Sequence, residues 1–187
     1  MKKIICTLWM AIFTLCAFAQ GEKTVNLQLE TRIDYQREYL DGDAVKPNSG
    51  FKGKYLNVIL NGTINEHWSY SYRQRLNKAH ADQSFFDATD WIHLTYKVND
   101  NWSFNGGKQV VGIGGYEYDR APIDLYFCSE YWNNIPCYQL GVSTTYTTNK
   151  GNDSFLLQFC ESPFNFNNED LYAYNLMWYG SHGWYNS

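Results

Sequence analysis

Beyond residue 19 the chain has no apolar run of the roughly 20 residues that a spanning helix needs, and its mean hydropathy is −0.49. Cysteine is scarce. Cys6 and Cys16 fall in the first 19 residues, which leaves Cys128, Cys137 and Cys160. An odd number excludes a closed disulfide framework; it leaves open one Cys128–Cys137 bridge or three free thiols. No Cys-x-x-Cys pair occurs, and His67, His80, His93 and His182 lack zinc-ligand spacing, so no metal is expected. Basic charge is short too. Without Lys2 and Lys3, 13 basic residues face 19 acidic ones, a formal charge of −6, which excludes a nucleic-acid partner. Gly112-Ile113-Gly114-Gly115 opens no helical pattern, and no serine or histidine stands in a nucleophilic arrangement. No catalytic residue, no cofactor and no enzymatic activity are therefore expected. Helix is nearly missing as well: residues 129–132 offer one turn, and no solenoid repeat appears.

What is present begins with an export leader. Lys2 and Lys3 precede an apolar stretch, and Ala17-Phe18-Ala19 offers a small-x-small cleavage site before Gln20. Residues 1–19 are read as a signal peptide and residues 20–187 as one β-domain. Cys16 could carry lipid, but Leu15 before it is bulky where a small residue is wanted.

From Val25 to Tyr35 the chain alternates with almost no error. Val25, Leu27, Leu29, Ile33 and Tyr35 share one parity; Asn26, Gln28, Glu30, Arg32 and Asp34 share the other. Period two places these sets on opposite faces of a strand. The pattern recurs over residues 51–62, 67–76, 92–98, 102–111, 135–146, 154–161 and 171–179, which predicts eight strands of about ten residues. Gln74 breaks the apolar parity of the third, and Gly106-Gly107 suggests a bulge that switches faces in the fifth. Aromatics make up 18% of the chain, with 16 Tyr and 7 Trp; such residues gather at membrane interfaces.

The predicted connections run long, short, long, short, long, short, long. Long connections at one end and short turns at the other are the habit of outer-membrane barrels, and a spanning tilted strand needs about 9–11 residues. The expected fold is an all-β, antiparallel up-and-down transmembrane β-barrel. The last residues, 180–187, carry no closing amphipathic strand, so the expectation is the N-terminal half of a larger barrel. The polar parity then lines the lumen: Glu30 and Arg32 on the first strand, Arg73 and Arg75 on the third, Lys97 on the fourth, and Lys108 if the glycine bulge forms. Arg73 and Arg75 can attract anions or pair with lumen carboxylates such as Glu30 or Asp34; the sequence leaves both open.

Three runs carry a family likeness: Gly50-Phe51-Lys52-Gly53-Lys54-Tyr55-Leu56-Asn57, Tyr70-Ser71-Tyr72-Arg73-Gln74-Arg75-Leu76-Asn77 and Gly106-Gly107-Lys108-Gln109. With Tyr116-Glu117-Tyr118-Asp119-Arg120-Ala121-Pro122-Ile123-Asp124, they resemble porins of the phosphate-selective porin O and P type, Bacteroides-like ones especially. The resemblance implies a sixteen-stranded channel, a homotrimer when complete. It also implies a third long connection, here residues 112–134, that folds into the pore with Asp119, Arg120 and Asp124 at the constriction or pinning the loop.

The function expected is passive diffusion of small hydrophilic solutes, anionic or neutral, phosphate among them, across the outer membrane of a Gram-negative bacterium in contact with its lipid. Two alternatives stay open. One is an exported soluble β-protein that binds glycans through exposed aromatics; the other is a small structural barrel.

Overall fold

In the computed structural model the described residues are 24–78, 84–114, 117, 125, 128–165, 170–182 and 185–186. The expected leader, residues 1–19, lies outside them. The long strands are β1 (Thr24–Gln36), β4 (Gly50–Thr63), β5 (Trp68–Arg75), β6 (Thr89–Lys97), β7 (Trp102–Val110), β8 (Tyr138–Thr147), β9 (Asp153–Glu161) and β10 (Tyr172–His182). Between β1 and β4 a small hairpin, β2 (Tyr39–Leu40) with β3 (Asp43–Ala44), turns at Asp41-Gly42, where both residues have positive φ. A two-residue strand, β11 (Tyr185–Asn186), pairs with the end of β10.

All eight long strands pair antiparallel with their neighbours in chain order, β1-β4-β5-β6-β7-β8-β9-β10, which makes one up-and-down sheet. Among the described residues the sheet is open, with β1 and the β10–β11 hairpin at its two ends. The eight predicted strands are all present with ends within a few residues. The offsets reach three residues at β6, β8 and β10; β8 is predicted from Ile135 but begins at Tyr138. Ile135 instead caps the helix α1 (Glu130–Asn134), and Pro136 has no N–H to give a ladder. Ser129 is the N-cap of α1; its hydroxyl accepts from the Trp132 amide at 3.2 Å.

Short turns share one device. Asn65 Oδ1 accepts from the amides of His67 and Trp68, and Asn99 Oδ1 from those of Asn101 and Trp102, all at 2.9 Å. Asparagine favours such positions because its side chain reaches its own backbone two residues on. Neighbouring turns are also tied together. His67 Nδ1 meets the Lys97 carbonyl at 2.9 Å, and Asn101 Nδ2 donates to the Thr147 carbonyl at 2.7 Å. In the second turn Lys97 pairs with Asp100 at 2.8 Å, which holds the Asp100 carboxyl below the usual carboxylate range.

The two faces of the sheet differ as the alternation demands. Val25, Leu27, Leu29 and Ile33 are 65–70% exposed, and the outward row continues through Leu94, Val142, Leu157 and Leu176. Withdrawing one such side chain fully from water is worth about 1.5–3 kcal/mol. A face of this extent left in water would forfeit more than the roughly 5–15 kcal/mol by which a folded protein is stable. The face is therefore built for an apolar surround. From Val25 to Tyr35 the row climbs about 33 Å at roughly 3.3 Å per residue, or about 25 Å upright at a usual barrel tilt, the height of a barrel's lipid band.

Aromatics close this band at both ends. Beside the short turns, Trp68 packs on Tyr96 with centroids 4.8 Å apart and Trp102 on Tyr146 at 4.9 Å. Toward the long connections, Tyr35 meets Phe51 at 5.2 Å and Phe159 meets Tyr174 at 5.0 Å. No helix of the described residues is long and apolar enough to cross a membrane, which says nothing against crossing with strands.

Candidate functional site

The inner face carries the polar parity. In register across three strands, Ile59 stands opposite Arg73 and Arg73 opposite Trp91; one step along, Glu30 is opposite Asn57 and Asn57 opposite Arg75. Arg73 and Arg75 are both buried and converge on one carboxylate. Their Nε atoms lie 3.0 and 2.7 Å from Asp90 Oδ2. The Arg73 guanidinium lies over the Trp91 ring at 4.8 Å, and that of Arg75 faces Tyr138 at 5.9 Å. Arg75 makes a well-aligned hydrogen bond to Asp90, whereas Arg73 Nη2 has no hydrogen-bond partner among the described residues.

A bulge creates this cluster. The β5–β6 register shifts between Arg73 and Gln74, so Asp90 and Trp91 together oppose Arg73. Without the extra residue Asp90 would share the outward parity of Ile92 and Leu94. The lumen-pairing reading thus names the wrong carboxylates. Glu30 accepts instead from Asn57 Nδ2 at 3.3 Å and Gln28 Nε2 at 3.3 Å, and Asp34 pairs with Arg32 at 2.9 Å. The signal for Asp90 was present: a carboxylate on an apolar parity and a tryptophan on a polar one, side by side.

Gln74, the exception on the apolar parity, is fully buried. Its Oε1 accepts from Thr89 Oγ1 at 2.6 Å and Tyr72 Oη at 2.9 Å, and its Nε2 donates to the Phe85 carbonyl at 3.4 Å. Tyr72, Thr89 and the Phe85 carbonyl together satisfy it.

Lys97 is on the inner parity at the short-turn rim, half-exposed and engaged with Asp100. Lys108 requires a correction. The registers of β6–β7 and β7–β8 run through Gly106-Gly107 without a shift, so the expected bulge is absent. Lys108 stands opposite Ile92 and Leu140, on the parity of the apolar face, and its Nζ donates to the Phe86 carbonyl at 3.0 Å. Gly107 serves close approach: it has φ +131°, and a Cβ there would overlap the Ile92 carbonyl. Near the long-connection end a cleft of about 540 Å³ opens between Arg75, Asp90, Lys108 and Glu161 and the segment 132–140.

The longest connection turns inward at its root. The Gly112 amide donates to Gln158 Oε1 at 2.7 Å, while Gln158 Nε2 donates to the Val110 carbonyl at 2.8 Å. Gln158 is a buried inner-face residue of β9 that also accepts from Asn175 Nδ2 at 2.9 Å. Farther on, Arg32 Nη1 of β1 donates to the Leu125 carbonyl at 2.6 Å. In sheet order β1 lies four strands from β7, so this bond ties Leu125 to a distant strand of the sheet. Glu117 then accepts from Ser129 N at 2.7 Å and Ser129 Oγ at 2.5 Å. Cys128 beside them is a free thiol whose pKa is raised by burial and by the Glu117 charge, and Cys137 is not bridged to it. The allowed Cys128–Cys137 bridge is thus not formed. The expected constriction residues Asp119, Arg120 and Asp124 lie outside the described residues.

The alternation put Arg73 and Arg75 on the inner parity where the register has them, but Asp90, Tyr138, Gln109 and Gln158 were missed. A lone Gln on the polar parity of a strand resembles any solvated residue. Among the described residues no group of three His, Cys, Asp or Glu could hold a metal.

Comparison with known proteins gives one finding. The family model described as phosphate-selective porin O and P matches residues 25–183. No curated protein and no solved structure matches.

Proposed function

The chain belongs to the phosphate-selective porin O and P family, and on that premise we propose that it forms a wall of an outer-membrane channel for passive diffusion of small hydrophilic solutes, anions such as phosphate among them. One observation carries the reading: an apolar outer face bounded by aromatics backs an inner face of buried polar groups, over which a long connection is laid. Such a wall separates lipid from a water-filled path. The chain then works by field and aperture rather than by bond making. Two guanidiniums share one carboxylate at Asp90, so one positive charge of the cluster remains to act on a passing anion. Glu30 and Arg32 line the same path, with Lys97 at its short-turn mouth. Lipid around the outer face and, in the complete channel, two further copies are the proposed partners.

Planar-bilayer recording tests this. In the complete channel, changing Arg73 and Arg75 together to Ala is expected to move the reversal potential toward cations. An unchanged potential would remove both from the conducting path. Arg32→Ala frees the connection from β1 and is expected to raise single-channel conductance. Unchanged conductance would place that connection outside the constriction.

A further inference from the structure

The concave face holds a second hollow, of about 460 Å³, between the strand wall and the root of the long connection at residues 110–114. Among the described residues, three buried polar atoms on its lining have no hydrogen-bond partner: His93 Nδ1, Asn105 Oδ1 and Gln109 Nε2. Gln109 is only 4% exposed, and its Oε1 accepts from Ser143 Oγ at 2.8 Å, which fixes the amide and leaves Nε2 unpaired. Buried polar groups nearly always find partners. Three orphans around one hollow indicate an occupant.

The lining says what kind. Among the described residues none of its side chains carries a permanent charge, and Leu156 and Met177 supply an apolar wall opposite the amides. Asn105 Oδ1 needs a donor and Gln109 Nε2 needs an acceptor. A hydroxyl is both. Phosphate offers chiefly acceptors, and its charge would lose water with no cation to offset the cost. An apolar guest would leave the amides unpaired. The volume lies within the range of about 300–1,000 Å³ usual for small-molecule sites.

We propose that this hollow binds a neutral, polyhydroxylated solute of monosaccharide size, with hydroxyls on Asn105 and Gln109 and a C–H face against Leu156 and Met177. It is a site separate from the Arg73–Asp90–Arg75 cluster, and it gives the wall an affinity for uncharged solutes.

The test is equilibrium dialysis of the full chain, refolded in detergent, against labelled D-glucose, with inorganic phosphate as competitor. Saturable binding that phosphate does not displace is expected. Asn105 Oδ1 has no partner to lose, so Asn105→Leu should keep the fold and weaken binding by about tenfold, the effect of one hydrogen bond. Ser103→Leu, which fills the hollow from the lining, should abolish it. Heat-modifiable gel migration checks that each variant is folded. Three results would each overturn the proposal: no saturable uptake, meaning hydration only; equal affinity in both folded variants; or displacement by phosphate. Binding is read without transport, so the channel reading and this site can fail separately.

Discussion

Asp90→Ala is expected to destabilise the folded sheet by about 3–5 kcal/mol, the usual loss when one partner of a buried ion pair is removed. The shared carboxylate is the only acidic group within ion-pair distance of Arg73 and Arg75 among the described residues, and both guanidiniums are buried. Without it two like charges face each other beneath Trp91 and Tyr138 with no counter-ion. Urea unfolding of refolded protein, followed by tryptophan fluorescence, measures the loss. Adding Arg73→Met and Arg75→Met to Asp90→Ala should restore most of it, because the three groups act as one unit and their effects do not add. A cost below about 1 kcal/mol would mean that water reaches the guanidiniums freely and the cluster is an exposed pair.

The second large effect concerns the outer face. Leu94 lies midway along β6, opposite Tyr70 and Gly106 on the apolar parity. Leu94→Arg should cost about 2–4 kcal/mol of stability in lipid, as a charge on a barrel's outer face does at mid-depth. Ser69→Arg, on the inner parity of β5, should cost no more than about 0.5 kcal/mol, as at a solvated surface. Urea titration of each variant folded into vesicles measures both. Equal costs would remove the distinction between the faces.

Much of this was legible in the sequence, for reasons that can be stated residue by residue. Alternation is a two-residue pattern, so Val25, Leu27 and Leu29 declare a face without knowledge of anything distant. Loop lengths are local as well, and Asn65 and Asn99 mark their turns by their own side chains. What stayed hidden depends on register. Asp90 reaches Arg73 and Arg75 only because a bulge adds one residue on β6, and Lys108 stays on the apolar parity only because Gly106-Gly107 adds none. A glycine pair is consistent with a bulge and equally with close strand approach; the Ile92 carbonyl beside Gly107 decides for approach. Gln158, which holds the root of the long connection through Gly112 and Val110, has no sequence neighbour that hints at it. Contacts across 46 or more residues follow from the finished sheet.

The alternatives weighed against a channel wall differ in where the aromatics should lie. A glycan-binding surface would gather them in a cleft, whereas Trp68, Trp102 and Trp178 stand outward in a row beside the short turns. That arrangement matches the girdles of a membrane barrel.

The central claim is that one parity of each strand meets lipid and the other meets water. Nitroxide labels placed singly at residues 92, 93, 94 and 95, in refolded protein with its native cysteines changed to serine, test it most directly in vesicles. Collision with oxygen, which concentrates in lipid, should peak at 92 and 94; collision with a water-soluble nickel chelate should peak at 93 and 95. Equal access of the chelate to all four positions would contradict the account.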